Sequence, residues 1–205
     1  MLDRSGDFEC PSRRPRRSLF VLAHHPRKDS GGAQAMTIRF AVNGVMRNVD
    51  DARRDEKLID FLHEDLDLTG TKLCCGIAIC HACTLSIKKP PNREATPILA
   101  CSTPLWMMDG AEIMTIEGVA QGDSLSPIQE AFIKEFSFQC GYCTPGFVMA
   151  AQILLDRLMA APRGPADLDA QIETALGGHI CRCTGYVRYF EEVRKTVEAI
   201  LRRNG

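Results

Sequence analysis

An α+β fold is predicted: a small mixed sheet clasping one helix, followed by a compact bundle of four helices. Three observations predict it. From residue 37 apolar and polar residues alternate around Asn43-Gly44, a strong short hairpin signal. Beyond residue 126 the alternation gives way to helical spacing. Between the two lies Gly70-Thr71-Lys72-Leu73-Cys74-Cys75-Gly76-Ile77-Ala78-Ile79-Cys80-His81-Ala82-Cys83, a run of cysteines and small residues that suits neither period. The 205 residues allow one or two domains, and 45% hydrophobic with 25% charged residues is ordinary for a globular chain. A net charge of −1 argues against nucleic acid as a partner, and no apolar run is long enough to span a bilayer.

Residues 1–35 differ from the rest, with Pro, Ser, Gly and the basic run Arg13-Arg14-Pro15-Arg16-Arg17. That run precedes Ser18-Leu19-Phe20-Val21-Leu22-Ala23 and invites a twin-arginine export reading. Only about six apolar residues follow it, and His24-His25-Pro26 closes them, so the expectation is a flexible extension, or a start set too early with Met36 as the natural beginning. Cys10 would be a free thiol there. The cytoplasm is then the default compartment, with the periplasmic face of the membrane as the alternative for a complex exported on a partner's signal.

The first hairpin pairs residues 37–42 with 45–49. A helix over 57–66 puts Leu58, Phe61, Leu62 and Leu66 on one face, and His63 reads as a partly exposed helical residue. Strands are expected at Thr84-Leu85-Ser86-Ile87, at 97–102 and at 112–116, with Pro90-Pro91-Asn92 as a turn. Residues 117–123 form a polar linker, dividing the chain into 36–117 and 118–205. Ser126, Pro127 and Gln129 announce a helix with a capping box, carrying Ile128, Ala131, Phe132, Glu135 and Phe136 at helical spacing. Thr144-Pro145 starts a second helix reaching residue 159, and residues 160–164 break it. A third covers 167–176 and ends at Gly177-Gly178. Thr184 can cap a last one over 186–202.

Eight of the ten cysteines fall into two sets of four. Cys75, Cys80 and Cys83 have the C-x4-C-x2-C spacing that, with Cys101 downstream, holds a plant-type [2Fe–2S] cluster. One short loop brings three sulfurs around two irons, and Gly76, Ala78 and Ala82 let backbone N–H groups approach them. Cys140 and Cys143 form the second set with Cys181 and Cys183, each pair just before a helix start, where free N–H groups and the positive dipole end favour an anionic centre. On spacing alone zinc and iron–sulfur stand level for this set. Disulfides are disfavoured by the tight clusters, and a redox dithiol at Cys140-Gly141-Tyr142-Cys143 lacks its strand–helix context. Cys74 is an extra thiol serving as packing filler. His81 is a hydrogen-bond donor behind the ligands or simply exposed.

Three motifs in order carry a resemblance spanning residues 37–202. They are Gly70-Thr71-Lys72 through Cys83-Thr84, then Gln139-Cys140-Gly141-Tyr142-Cys143-Thr144-Pro145-Gly146-Phe147, then His179-Ile180-Cys181-Arg182-Cys183-Thr184-Gly185-Tyr186. They resemble the small iron–sulfur subunit of the molybdenum hydroxylases, the xanthine oxidase/aldehyde oxidoreductase/carbon monoxide dehydrogenase family. The resemblance implies a β-grasp, plant-ferredoxin-like domain before the helical one, and [2Fe–2S] at the second cysteine set as well. It implies a large partner subunit holding molybdopterin cytosine dinucleotide, where an aldehyde or N-heterocycle is hydroxylated. A third subunit, a cytochrome c or a flavoprotein, would accept the electrons. Gln139 and Cys183 are carried over as contacts to the pterin, and no catalytic acid or base is expected on this chain. Cys74, Ala78 and His81 stand where the family usually has glycine, which raises the expectation of an altered outer cluster and an unusual acceptor. The alternative is a free-standing two-cluster carrier of the ferredoxin kind; co-purification with a large subunit discriminates the two.

Overall fold

The computed structural model describes residues 37–160 and 167–204. The expected N-terminal extension, Cys10 and most of the expected break after residue 159 lie outside the described residues. Within them are a five-stranded mixed sheet and five α-helices.

β1 (Thr37–Val42) and β2 (Val45–Asp50) pair antiparallel through Asn43 and Gly44, whose φ values of 49° and 80° give the two left-handed residues a tight hairpin turn requires. Ile38, Phe40 and Val42 alternate into the core. α1 (Leu58–Glu64) lies over them and buries Leu58, Ile59, Phe61 and Leu62, with Phe61 edge-on to Phe40 at 5.6 Å. It stops short of Leu66, which still packs against the same core. β3 (Thr84–Lys89) and β4 (Asn92–Leu99) form the second hairpin, and β5 (Glu112–Met114) slots between the hairpins, parallel to β1 and antiparallel to β3. The order is β2-β1-β5-β3-β4.

Two strand boundaries differ from expectation. β4 begins at Asn92 because the Pro90-Pro91 turn is tight enough for Lys89 to pair with Asn92. It ends at Leu99, so Cys101 stands in the turn beyond, held by Ala100 N–H donating to Cys83 C=O at 3.2 Å. β5 ends at Met114 because the Asn43 side chain takes over, accepting from Thr115 N–H and donating to Thr115 Oγ1, both at 2.9 Å. Residues 117–123 are also more fixed than a linker's composition suggests. Glu117 accepts from Gly70 N–H at 2.8 Å, and Gln121 and Ser124 exchange both backbone hydrogen bonds.

The helices are α2 (Pro127–Lys134), α3 (Thr144–Ala160), α4 (Leu168–Leu176) and α5 (Val187–Asn204). Ser126 and Gln129 form the expected capping box, and Asp167 caps α4 through Ala170 N–H. Replacing Ser126 by Ala is expected to cost about 1 kcal/mol, read as a lowered midpoint in chemical denaturation. Phe136 departs from expectation: α2 has already ended, and Phe136 turns outward at a φ of 49°. Thr184 does not cap α5 either. Its N–H points to Cys181 Sγ, and Gly185 and Tyr186, both at positive φ, intervene before Val187.

A second core forms where α2, α3, α4 and α5 meet, around Ile128, Phe132, Phe147, Tyr189 and Val193. α3 also packs on β3 and β4. Leu85 and Ile87 face the first core, and Thr84 and Ser86 lie buried on the opposite face of the same strand. Gly146 permits the approach, since a Cβ there would lie 2.5 Å from the His81 carbonyl oxygen.

Candidate metal centres

The outer loop is wrapped around sulfur. Ile79 N–H and Cys80 N–H both donate to Cys75 Sγ at 3.4 Å. Hydrogen bonds from Ile77, Cys80 and Ile79 pull the Cys75 thiol down to about 6. Gly76, Ala78 and His81 have φ values of 70°, 60° and 57°, and these turns aim the N–H groups inward. The left-handed backbone explains why glycine suits positions 78 and 81. Cys74, by contrast, is exposed and none of the loop's hydrogen bonds is aimed at its sulfur.

Cys80 and Cys83 are buried, as is Cys101, whose N–H donates to Cys83 Sγ at 3.5 Å. Burial raises the Cys80 thiol and pushes Cys83 up to about 12. The side chains meet in pairs, Cys75 with Cys80 and Cys83 with Cys101.

The inner set is paired in the same manner. Cys183 Sγ lies 3.6 Å from Cys140 Sγ on the exposed side, and Cys143 meets Cys181 on the buried side. Burial pushes Cys143 up to about 11. At Cys181 burial works against ionisation, yet the N–H groups of Thr184 and Cys183 and the Cys143 thiol outweigh it and hold the group below its ordinary value. Cys143 Sγ also lies 3.7 Å from the Tyr189 hydroxyl. Among the described residues no three His, Cys, Asp or Glu side chains close on one point as a single metal ion needs. Thiols arranged two and two offer a pair of ligands to each of two irons, which is the demand of a [2Fe–2S] cluster.

The two sets share a seam. Ile180 N–H donates to Cys80 C=O at 3.1 Å, and the Tyr142 hydroxyl donates to Leu73 C=O at 2.6 Å. His81 and His179 stack edge-on at 5.2 Å. His179 is buried, within 3.2 Å of both Thr84 Oγ1 and Leu176 C=O, and burial lowers its pKa to about 4. His81 thus packs in the seam, against Gly178 as well, where a Cβ would come within 2.5 Å of its ring. Sequence spacing had no means of finding this pair, because residues 81 and 179 meet only through the fold. Changing Tyr142 to Phe removes one bridging hydrogen bond. It is expected to cost about 1 kcal/mol and to speed amide exchange in residues 73–80.

Gln139 is exposed beside the paired Cys140 and Cys183, its amide donating to Cys183 C=O at 3.2 Å. The two residues expected to contact a cofactor are therefore neighbours on one surface.

A [2Fe-2S] binding domain family matches residues 115–194, which include Cys140, Cys143, Cys181 and Cys183. The nicotinate dehydrogenase small FeS subunit of Eubacterium barkeri is 35% identical over 163 residues, covering 80% of this chain and 96% of its own. Xanthine dehydrogenase 1 of Arabidopsis thaliana is 38% identical over 150 residues, 71% of this chain but 11% of that longer protein. The structure also superimposes on quinoline 2-oxidoreductase from Pseudomonas putida 86, with a TM-score of 0.67 and 31% identity, covering 83% of this chain and 98% of the other. The chain belongs to the molybdenum hydroxylase family, as one of its small iron–sulfur subunits.

Proposed function

We propose that this chain is the electron-transfer subunit of a heteromeric molybdenum hydroxylase. It would relay electrons from the molybdopterin site of a large subunit, through two [2Fe–2S] clusters, to an external acceptor. Residues 36–117 form the ferredoxin-like domain with the outer cluster on Cys75, Cys80, Cys83 and Cys101. Residues 118–205 form the helical domain with the inner cluster on Cys140, Cys143, Cys181 and Cys183. The observation that carries the reading is the pairing of all eight thiols, two and two, in loops whose N–H groups point at sulfur.

Each cluster, when bound, supplies a one-electron redox centre. The protein's part is to hold sulfur, limit water and set the local field. The N–H groups around Cys75 and Cys181 favour thiolate and stabilise added negative charge. Cys83 and Cys143 lie where burial resists ionisation, and a bound metal centre would supply the positive charge that holds them as thiolates. Gln139 and Cys183 stand on the exposed side, where we place their contacts with the pterin of molybdopterin cytosine dinucleotide on the large subunit. The substrate class is an aldehyde or an N-heterocycle, bound on that subunit. The acceptor is a third subunit, a cytochrome c or a flavoprotein. Ala78 and His81, at positive φ in the outer loop, would tune that end toward it. Unchanged cluster potentials and acceptor rates after Ala78→Gly and His81→Gly would remove this last element.

The complex purified anaerobically from its native host tests the whole reading. It should contain about four irons and four labile sulfides per copy of this chain, with stoichiometric molybdenum. About two irons with one zinc would make the helical domain a structural zinc module and overturn the relay.

A further inference from the structure

Phe136 is 75% exposed and sits at a φ of 49° just beyond α2. The left-handed residue that follows a helix is usually glycine, because a bulky side chain is strained there. Here the strained residue is an aromatic turned into solvent. The fold holds it in place: Phe136 N–H donates to Ile133 C=O at 3.3 Å, and Arg188 Nη1 donates to Phe136 C=O at 3.2 Å. The facing loop repeats the pattern. Tyr186 has a φ of 74° and is exposed, and Val187 beside it is 62% exposed.

The two loops are pinned to each other by Arg188 on Phe136 and by Gln139 on Cys183 C=O. The same two loops carry the exposed pair Cys140 and Cys183, 3.6 Å apart. Exposed aromatic residues held in costly backbone conformations, in the loops that carry that pair, are expected of a surface selected to be covered. The subunit reading above names the cover, because Gln139 and Cys183, which we place against the pterin of the large subunit, lie in the same two loops. In Arabidopsis thaliana xanthine dehydrogenase 1 the matching region is 11% of one long chain, so the remainder is attached covalently. The Eubacterium barkeri small subunit is matched over 96% of its length and is a separate chain. A small subunit that is a separate chain, like that one, holds any partner by surface contact alone.

We propose that Phe136, with Tyr186 and Val187, is the anchor by which this chain docks on the large molybdopterin-binding subunit. The inference rests on the subunit reading above and adds the residue that secures the contact. Strain and docking oppose each other at this position, and that makes the proposal testable. Phe136→Gly relieves the left-handed strain, so the full chain with its clusters should melt at the same temperature or higher. Its affinity for the large subunit co-purified from the native host should fall about thirty-fold or more, the loss typical of a hot-spot aromatic. Tyr186→Gly, by the same logic, should weaken the complex without lowering the melting temperature.

Equilibrium sedimentation of the separated and recombined subunits, with thermal melts of the full chain, reads both quantities. Unchanged affinity for both variants would overturn the docking role. So would a lower melting temperature, or failure to fold, for Phe136→Gly, because Phe136 would then be structural. Self-association of the wild-type chain that Phe136→Gly abolishes, with large-subunit affinity unchanged, would assign the face to a second copy and overturn it too. Should wild-type chain and large subunit fail to associate at all, the subunit reading itself falls, and this proposal with it.

Discussion

Replacing Cys181 by Ser is expected to lower bound iron from about four to about two atoms per chain and to abolish substrate-driven reduction of the external acceptor. Cys181 is buried, meets Cys143 and receives the Thr184 N–H at 3.4 Å. A serine hydroxyl keeps the shape but is a far weaker ligand for iron than thiolate. The outer set does not depend on it, so the remaining iron should give the electron paramagnetic resonance signal of one cluster. Cys74→Ser is the control. That thiol is exposed, and its replacement should leave iron at the wild-type level. Full iron in the Cys181 variant, or lost iron in the Cys74 variant, would show that the ligands are misassigned.

Tyr189→Ala should be the most destabilising single change in the helical half. The ring is fully buried, stacked on Phe147 at a centroid distance of 4.0 Å and edge-on to Phe132 at 5.1 Å. Its hydroxyl shares a 2.8 Å hydrogen bond with Thr144 Oγ1 beside Cys143. Truncation of such an aromatic costs about 3–5 kcal/mol, equivalent to a fall in melting temperature on the order of 10 °C. Tyr189→Phe keeps the stack and loses only the hydroxyl contacts, for about 1 kcal/mol. Calorimetry on the two variants separates packing from hydrogen bonding, and equal losses would refute the division. Burial keeps this phenol protonated, its pKa raised above the ordinary tyrosine value.

Local chemistry made much of this legible in advance. Asn43-Gly44 needs no partner to declare a hairpin, and the Ser126/Gln129 box closes within one turn of helix. The two cysteine sets were visible because most of their members lie within a few residues of one another. What stayed hidden was set by contacts between distant residues. The ends of β4 and β5 depend on the Pro90-Pro91 turn and on Asn43 reaching Thr115. Glu117 reads as polar linker until Gly70 is found against it. Phe136 fits a helical period, yet α2 ends before it, and the pairing of His81 with His179 has no trace in spacing.

The hydrogen bond from Ile180 N–H to Cys80 C=O has a consequence for how throughput can be regulated. It joins the neighbour of Cys181 directly to Cys80, and Gly146 lets α3 close on the same loop. Two domains on a loose tether would sample many separations, and exchange between their centres would rise and fall with that motion. Here the gap is built into the backbone like the spacing of marks on a ruler. On the proposed relay, control of the flow would then lie at the two ends, in what docks there and for how long.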